Sequence, residues 1–181
     1  MPSALKKEYD KIPGAVKRFL QRALLLIFLW MVIYHLLLQP YNIPDRWLTN
    51  TTSAATAKMI SVFFHPAYYN EDVKGAMIYM DGEKVLFVAH SCNALELYIL
   101  YAGFMFCIPT TRKRFLAFTA VGFIVIFLLN IIRCTAITWL NLTNIEWVDF
   151  AHHYAFTLIV YICIFYGWVL YTKNYGKKQA L

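Results

Sequence analysis

Long apolar runs separated by short basic spacers limit this chain more than any other feature of its sequence. Residues 19–38, 91–108, 115–140 and 149–171 are each apolar enough and long enough to cross a hydrocarbon core of about 30 Å. Hydrophobic residues fill 60% of the 181 positions and charged residues 15%, so there is too little polar surface to coat a water-soluble globule. The predicted fold class is therefore an all-α membrane protein built as a four-span transmembrane helical bundle. No Gly/Ser/Pro-rich linker divides the sequence, and residues 1–181 are read as a single domain.

The segments between the runs add detail. Leu5, Tyr9, Ile12 and Val16 recur at helical spacing against Lys6, Lys7, Lys11, Lys17 and Arg18, which predicts an amphipathic interfacial helix over 1–18, interrupted at Pro13. The run 19–38 starts on charge and lacks a small-residue cleavage site, so it reads as a retained span. Segment 39–90 is mixed and broken by Pro40, Pro44 and Pro66, and its apolar patch 54–64 is too brief to span, which places it at the interface. Within it, residues 76–80 and 84–88 flank Asp81-Gly82-Glu83. A β-hairpin over 76–88 is expected, because Asp-Gly tolerates the positive dihedrals of a tight turn.

Orientation follows from Lys and Arg. Lys6, Lys7, Lys11, Lys17, Arg18 and Arg22 precede the first span, Arg112, Lys113 and Arg114 separate the second from the third, and Lys173, Lys177 and Lys178 follow the fourth. These segments, including the tail 172–181, are expected in the cytoplasm, with both termini; 39–90 with its hairpin and 141–146 then lie outside. The net charge of +7 is spent on these flanks, and neither a Gly-rich phosphate loop nor zinc-finger spacing occurs, which removes nucleic acid as a partner and leaves lipid. Cys92, Cys107, Cys134 and Cys163 lie in apolar stretches without CxxC pairing, so a disulfide framework is not expected. Only Cys92 stands at the end of a run.

That topology brings reactive side chains from three spans to one depth. Cys92 falls at the outer end of the second span, and His152 and His153 near the outer start of the fourth. Arg133 lies seven residues below Leu140, about 10 Å down the third. An arginine inside a span costs several kcal/mol unless a polar cavity or partner receives it. Each residue alone has a plain reading: Arg133 snorkels or pairs with Glu96, the histidines sit at an interface, and Cys92 packs as a small apolar residue. Together, a thiol, an imidazole and a guanidinium are the parts of an acyl-transfer site. The imidazole and the fixed positive charge favour thiolate at Cys92, His152 can protonate a leaving amine, and Arg133 can donate to an oxyanion. Asp149 can orient either His152 or His153, and Asn130, one turn from Arg133, can support it or bridge helices. No cofactor or metal is needed. Two rivals stand beside this reading: a zinc hydrolase using His90, Cys92, His152 and His153, though without an HExxH motif, and a non-enzymatic scaffold that only packs helices.

Ser91-Cys92-Asn93-Ala94-Leu95, Asn130-Ile131-Ile132-Arg133 and Asp149-Phe150-Ala151-His152 resemble, in order and spacing, the three motifs of the exosortase/archaeosortase membrane transpeptidases. The resemblance covers 88–171. It implies Cys92 as nucleophile, Arg133 as transition-state partner and His152 as general acid/base, in a compact variant with fewer spans than the larger members. It also implies a bacterial inner-membrane enzyme with its active site on the extracytoplasmic side. Such an enzyme would cleave C-terminal sorting signals of translocated proteins through a Cys thioester and pass them to an acceptor nucleophile. Two departures are visible: Ala94 stands where many members have Gly, and His153 and Phe156 follow the histidine where a small or different residue is common.

Overall fold

A computed structural model of the chain describes residues 13–108 and 110–173. It is mainly helical. Helix α1 (Gly14–Tyr41) is followed by α2 (Asp45–Phe63), strands β1 (Ala67–Asp72), β2 (Gly75–Met80) and β3 (Glu83–Ala89), then α3 (Leu95–Cys107), α4 (Arg112–Thr143) and α5 (Ile145–Thr172). Among the described residues, α1, α4 and α5 are long and apolar enough to cross a membrane.

The expected second span differs. Of residues 91–108, only Leu95–Cys107 is helical, because a 3₁₀ turn (His90–Cys92), Asn93 and a left-handed Ala94 occupy the start. At 13 residues α3 is about 20 Å long, short of a full hydrocarbon core. Residues 1–12 of the expected interfacial helix and 174–181 of the tail lie outside the described residues, while residues 14–18 belong to α1, with Pro13 as its N-cap rather than an interruption. Proline suits that place, having no N–H to leave unpaired.

Helices α3, α4 and α5 share a core in which Tyr98, Tyr101, Met105, Ile126, Val160 and Ile164 are buried. Lipid is as apolar as these side chains, so this core gains from close packing rather than from excluding water. Gly122 permits the closest approach: a Cβ there would lie 1.9 Å from the Tyr101 ring. Tyr101 also donates to the Phe118 carbonyl at 3.2 Å. At one end of the bundle Arg114 donates to the carbonyls of Leu170, Tyr171 and Lys173 at 2.9–3.0 Å, which satisfies the open end of α5 and sets a cation at its negative pole. Arg22 reaches the Cys107 carbonyl at 3.4 Å, so the ends of α1 and α3 that carry basic flanks meet in the same way.

The other end carries α2 and the sheet. The patch expected over 54–64 as a short interfacial segment belongs, up to Phe63, to a 19-residue helix packed on α4, β1 and β2. Its buried face is made of hydroxyls: Thr49, Thr52, Ser53 and Thr56 are fully enclosed, with Ala57 and Ile60 completing the stripe. The sheet is antiparallel in the order β1-β2-β3. The expected hairpin is the β2–β3 pair, turning through Asp81 (φ 52°) and Gly82 (φ 85°) as a tight two-residue turn requires. Strand β1 is an addition to it. Ile78, Met80 and Val88 close over Ala57, Ile60 and Cys134.

Candidate active site

Cys92 ends the 3₁₀ turn between β3 and α3 and is partly exposed. The next residue fixes its backbone. Asn93 is buried; its Oδ1 accepts from the Leu95 N–H at 2.8 Å, and its Nδ2 donates to Asp45 Oδ1 at 2.8 Å, with Asp45 O and Thr49 Oγ1 at 3.3 and 3.4 Å. Asp45, itself buried, also accepts from the Tyr34 hydroxyl at 2.9 Å. A buried carboxylate is tolerated only with such partners, so α1, α2 and the cysteine turn are held by one polar knot. Before the cysteine, His90 Nδ1 and Thr49 Oγ1 are hydrogen-bonded at 3.0 Å. Behind it, Ala94 takes φ 67° and ψ 15°, a left-handed conformation that costs a residue with a Cβ about 1–2 kcal/mol.

Arg133 lies on α4, and its guanidinium is 2.7 Å from His152 Nε2. An arginine side chain can only donate, so Nε2 accepts, the ring proton sits on Nδ1 and the imidazole is neutral. His152 and His153 occupy a single π-helical turn, Ala151–Ala155, that widens the start of α5. Such turns recur at functional sites because they re-aim side chains without ending the helix. The widening separates the two rings' partners. His153 Nε2 lies 3.4 Å from Asp149 Oδ1 on the exposed side, while His152 faces Arg133. Asn130, buried on α4, donates to the Cys92 carbonyl at 3.3 Å and so ties the cysteine turn to the helix bearing Arg133.

Cys92 and Arg133 line one cavity of about 680 Å³, together with Tyr34, Asp45, His90 and Glu96. A second π-helical turn, Tyr34–Leu38, brings Tyr34 and His35 to this wall. This π-turn and a left-handed alanine thus line the space, and the π-turn at Ala151–Ala155 reaches it through the bond between His152 and Arg133.

The structure therefore brings together Cys92, Arg133, His152 and Asn130 through the shared cavity and two hydrogen bonds. It pairs Asp149 with His153 rather than with His152. Glu96 stands at the start of α3 on the cavity wall, and the partner of Arg133 is His152. Among the described residues no three of His, Cys, Asp and Glu converge as a metal-ligand group, so His90, Cys92, His152 and His153 do not form the zinc set considered above. Sequence reasoning missed Tyr34, Asp45, Thr49 and the role of Asn93. The available signal was Asn93 itself, a buried-type amide directly beside the thiol in an otherwise apolar stretch.

A bundle of apolar helices in which Cys92 and Arg133 line one cavity, with Arg133 hydrogen-bonded to His152, defines a membrane protein. The transmembrane exosortase family profile matches residues 14–172, and the chain belongs to that family. No curated protein and no solved structure matches it.

Proposed function

We propose that this chain is a cysteine transpeptidase that cleaves C-terminal sorting signals of translocated proteins in the bacterial inner membrane. The observation that carries the reading is the cavity walled by Cys92 and Arg133, with Arg133 hydrogen-bonded to His152. As Arg133 turns its guanidinium from His152 Nε2 to the scissile carbonyl oxygen, the freed Nε2 of neutral His152 takes the thiol proton and the thiolate of Cys92 attacks the carbonyl carbon. Arg133 donates to the oxyanion of the tetrahedral intermediate, where a preorganised donor is worth about 3–4 kcal/mol. The protonated imidazole then gives its proton to the leaving amine, and a thioester remains on Cys92. An amine or water attacks that thioester, releasing the thiol. Asn130 holds the cysteine turn against α4, and Asp149 keeps His153 turned away.

In this reading the chain crosses the membrane four times, through α1, α4, α5 and the shorter apolar helix α3. Its apolar 13 residues are lengthened toward a full crossing by the turn at His90–Cys92 and by Ile108. The basic flanks at Arg22, Arg112–Arg114 and Lys173 then face the cytoplasm, and Cys92 with the sheet faces outward. A thiol at that boundary meets the junction between a substrate's ectodomain and its anchoring helix. The test is co-expression of candidate proteins ending in an apolar span and basic tail with wild type or Cys92→Ala, followed by mass spectrometry of their C-termini. A new C-terminus bearing an attached group in wild type alone is expected. Equal processing by Cys92→Ala, inserted at normal levels, would refute the mechanism and favour a non-catalytic scaffold.

A further inference from the structure

We infer that the apolar seam between α1 and α3 is the docking groove for the substrate's membrane helix, and that it opens directly onto the Cys92 cavity. This rests on the reading of Cys92 as nucleophile and adds where the substrate lies. The seam holds a cavity of about 610 Å³ whose walls include Ala23, Trp30, Ala102, Gly103 and Trp168. It shares Ile27, Trp30, Ile99 and Leu100 with the Cys92 cavity, so the two adjoin along these side chains. At its far side the Cys92 cavity shares Asn42 and His90 with a third, smaller space of about 370 Å³ lined by Arg46, Glu71 and Asp72.

The order along this track is charged and polar, then the thiol, then apolar. A translocated chain that ends in a membrane helix has the same order: a polar stem, a junction and an apolar span. Only one direction of threading matches both. The occupant of the seam is a helix rather than a loose acyl chain because its wall is lowered by Ala23, Ala102 and Gly103, which lets a backbone approach closely. Segment Gly14–Ile33 of α1 has no buried residue, so no other described element encloses this wall of the seam. A Cβ placed at Gly103 meets nothing within 4 Å. A larger side chain there would stand in the groove, and leucine forms helix more readily than glycine, so the fold tolerates it.

Two measurements test this. In the first, a photo-crosslinking phenylalanine derivative replaces Gly103 in the Cys92→Ala chain, reconstituted in phosphatidylethanolamine/phosphatidylglycerol vesicles. The ligand is a biotinylated synthetic probe with a polar stem and a Leu/Ala helix of about 20 residues, enough to span. Adducts with the probe should exceed by at least ten-fold those from the same label at Leu158, which is exposed on α5. Equal yields at both positions, or adducts to lipid alone at 103, overturn the proposal. In the second, Gly103→Leu should lower processing of co-expressed anchored proteins at least ten-fold while N-ethylmaleimide alkylates Cys92 at the wild-type rate. Unchanged processing by Gly103→Leu, with Cys92→Ala inactive, also overturns it. Because the crosslink forms without the thiol, strong labelling combined with normal processing by Cys92→Ala would sink the catalytic reading and leave the groove standing.

Discussion

Ala94 carries the most direct backbone information in the site. Its φ of 67° sits between the thiol-bearing turn and the first turn of α3, in a region that penalises any residue with a Cβ. The strain is held by Asn93, whose bonds to Asp45 and to the Leu95 N–H fix both sides of it. Ala94→Gly should relieve it and, after the added freedom of glycine in the unfolded chain, stabilise the protein by about 0.5–1 kcal/mol. In detergent this appears as a rise of about 1–4 °C in Tm; a fall would mean that the left-handed turn is not strained. At this scale Arg133 stood out because it interrupts an apolar run with a group that lipid rejects, and Cys92 and His152 because they lie at the ends of such runs. Asp45 and Thr49 were not, since they lie among many polar residues in 39–90 where one more carboxylate or hydroxyl raises no signal.

Helix α2 and strand β1 account for what the pattern of elements hid. A stripe of Thr and Ser at helical spacing is read as surface, yet here it is buried against α4, where small hydroxyls pack as closely as alanine. Strand β1, Ala67–Asp72, is mostly exposed and ends in Asn-Glu-Asp, so it lacks the apolar alternation that marked β2 and β3. Its anchor to α2 is the Arg46–Glu71 ion pair. Hydrogen bonds from Arg46, then from Asn50, hold the Glu71 carboxyl down to about 2, below the usual carboxylate range. A depressed folded-state pKa means that the tie is intact above the ordinary carboxylate pKa and is lost as pH falls from about 4 toward 2. Amide exchange or limited proteolysis of 67–72 should therefore quicken over that window in wild type, and Glu71→Gln should be already loose at pH 7 and flat below it. A wild-type profile as flat as that of the variant would contradict the tie.

Across the described residues, basic contacts gather at one end and the Cys92 cavity lies at the other. Arg22 and Arg114 close helix ends at the first, and Cys92, Arg133 and His152 meet beside the sheet at the second. The long helices α1, α4 and α5 were legible from length and hydropathy alone, because lipid imposes both. The shortness of α3 was not, because the loss of residues 91–94 from its start comes from Asn93 capping and the turn of Ala94, which are tertiary choices. The account stands on a covalent bond between Cys92 and its substrate. The direct measurement is mass spectrometry of the Cys92 peptide after rapid quenching in the presence of a processed substrate. The account predicts an acyl thioester on the Cys92 sulfur that hydroxylamine removes and that is absent from Cys92→Ala. Continued processing with no adduct on Cys92, or with an adduct at another residue that survives in Cys92→Ala, would contradict it.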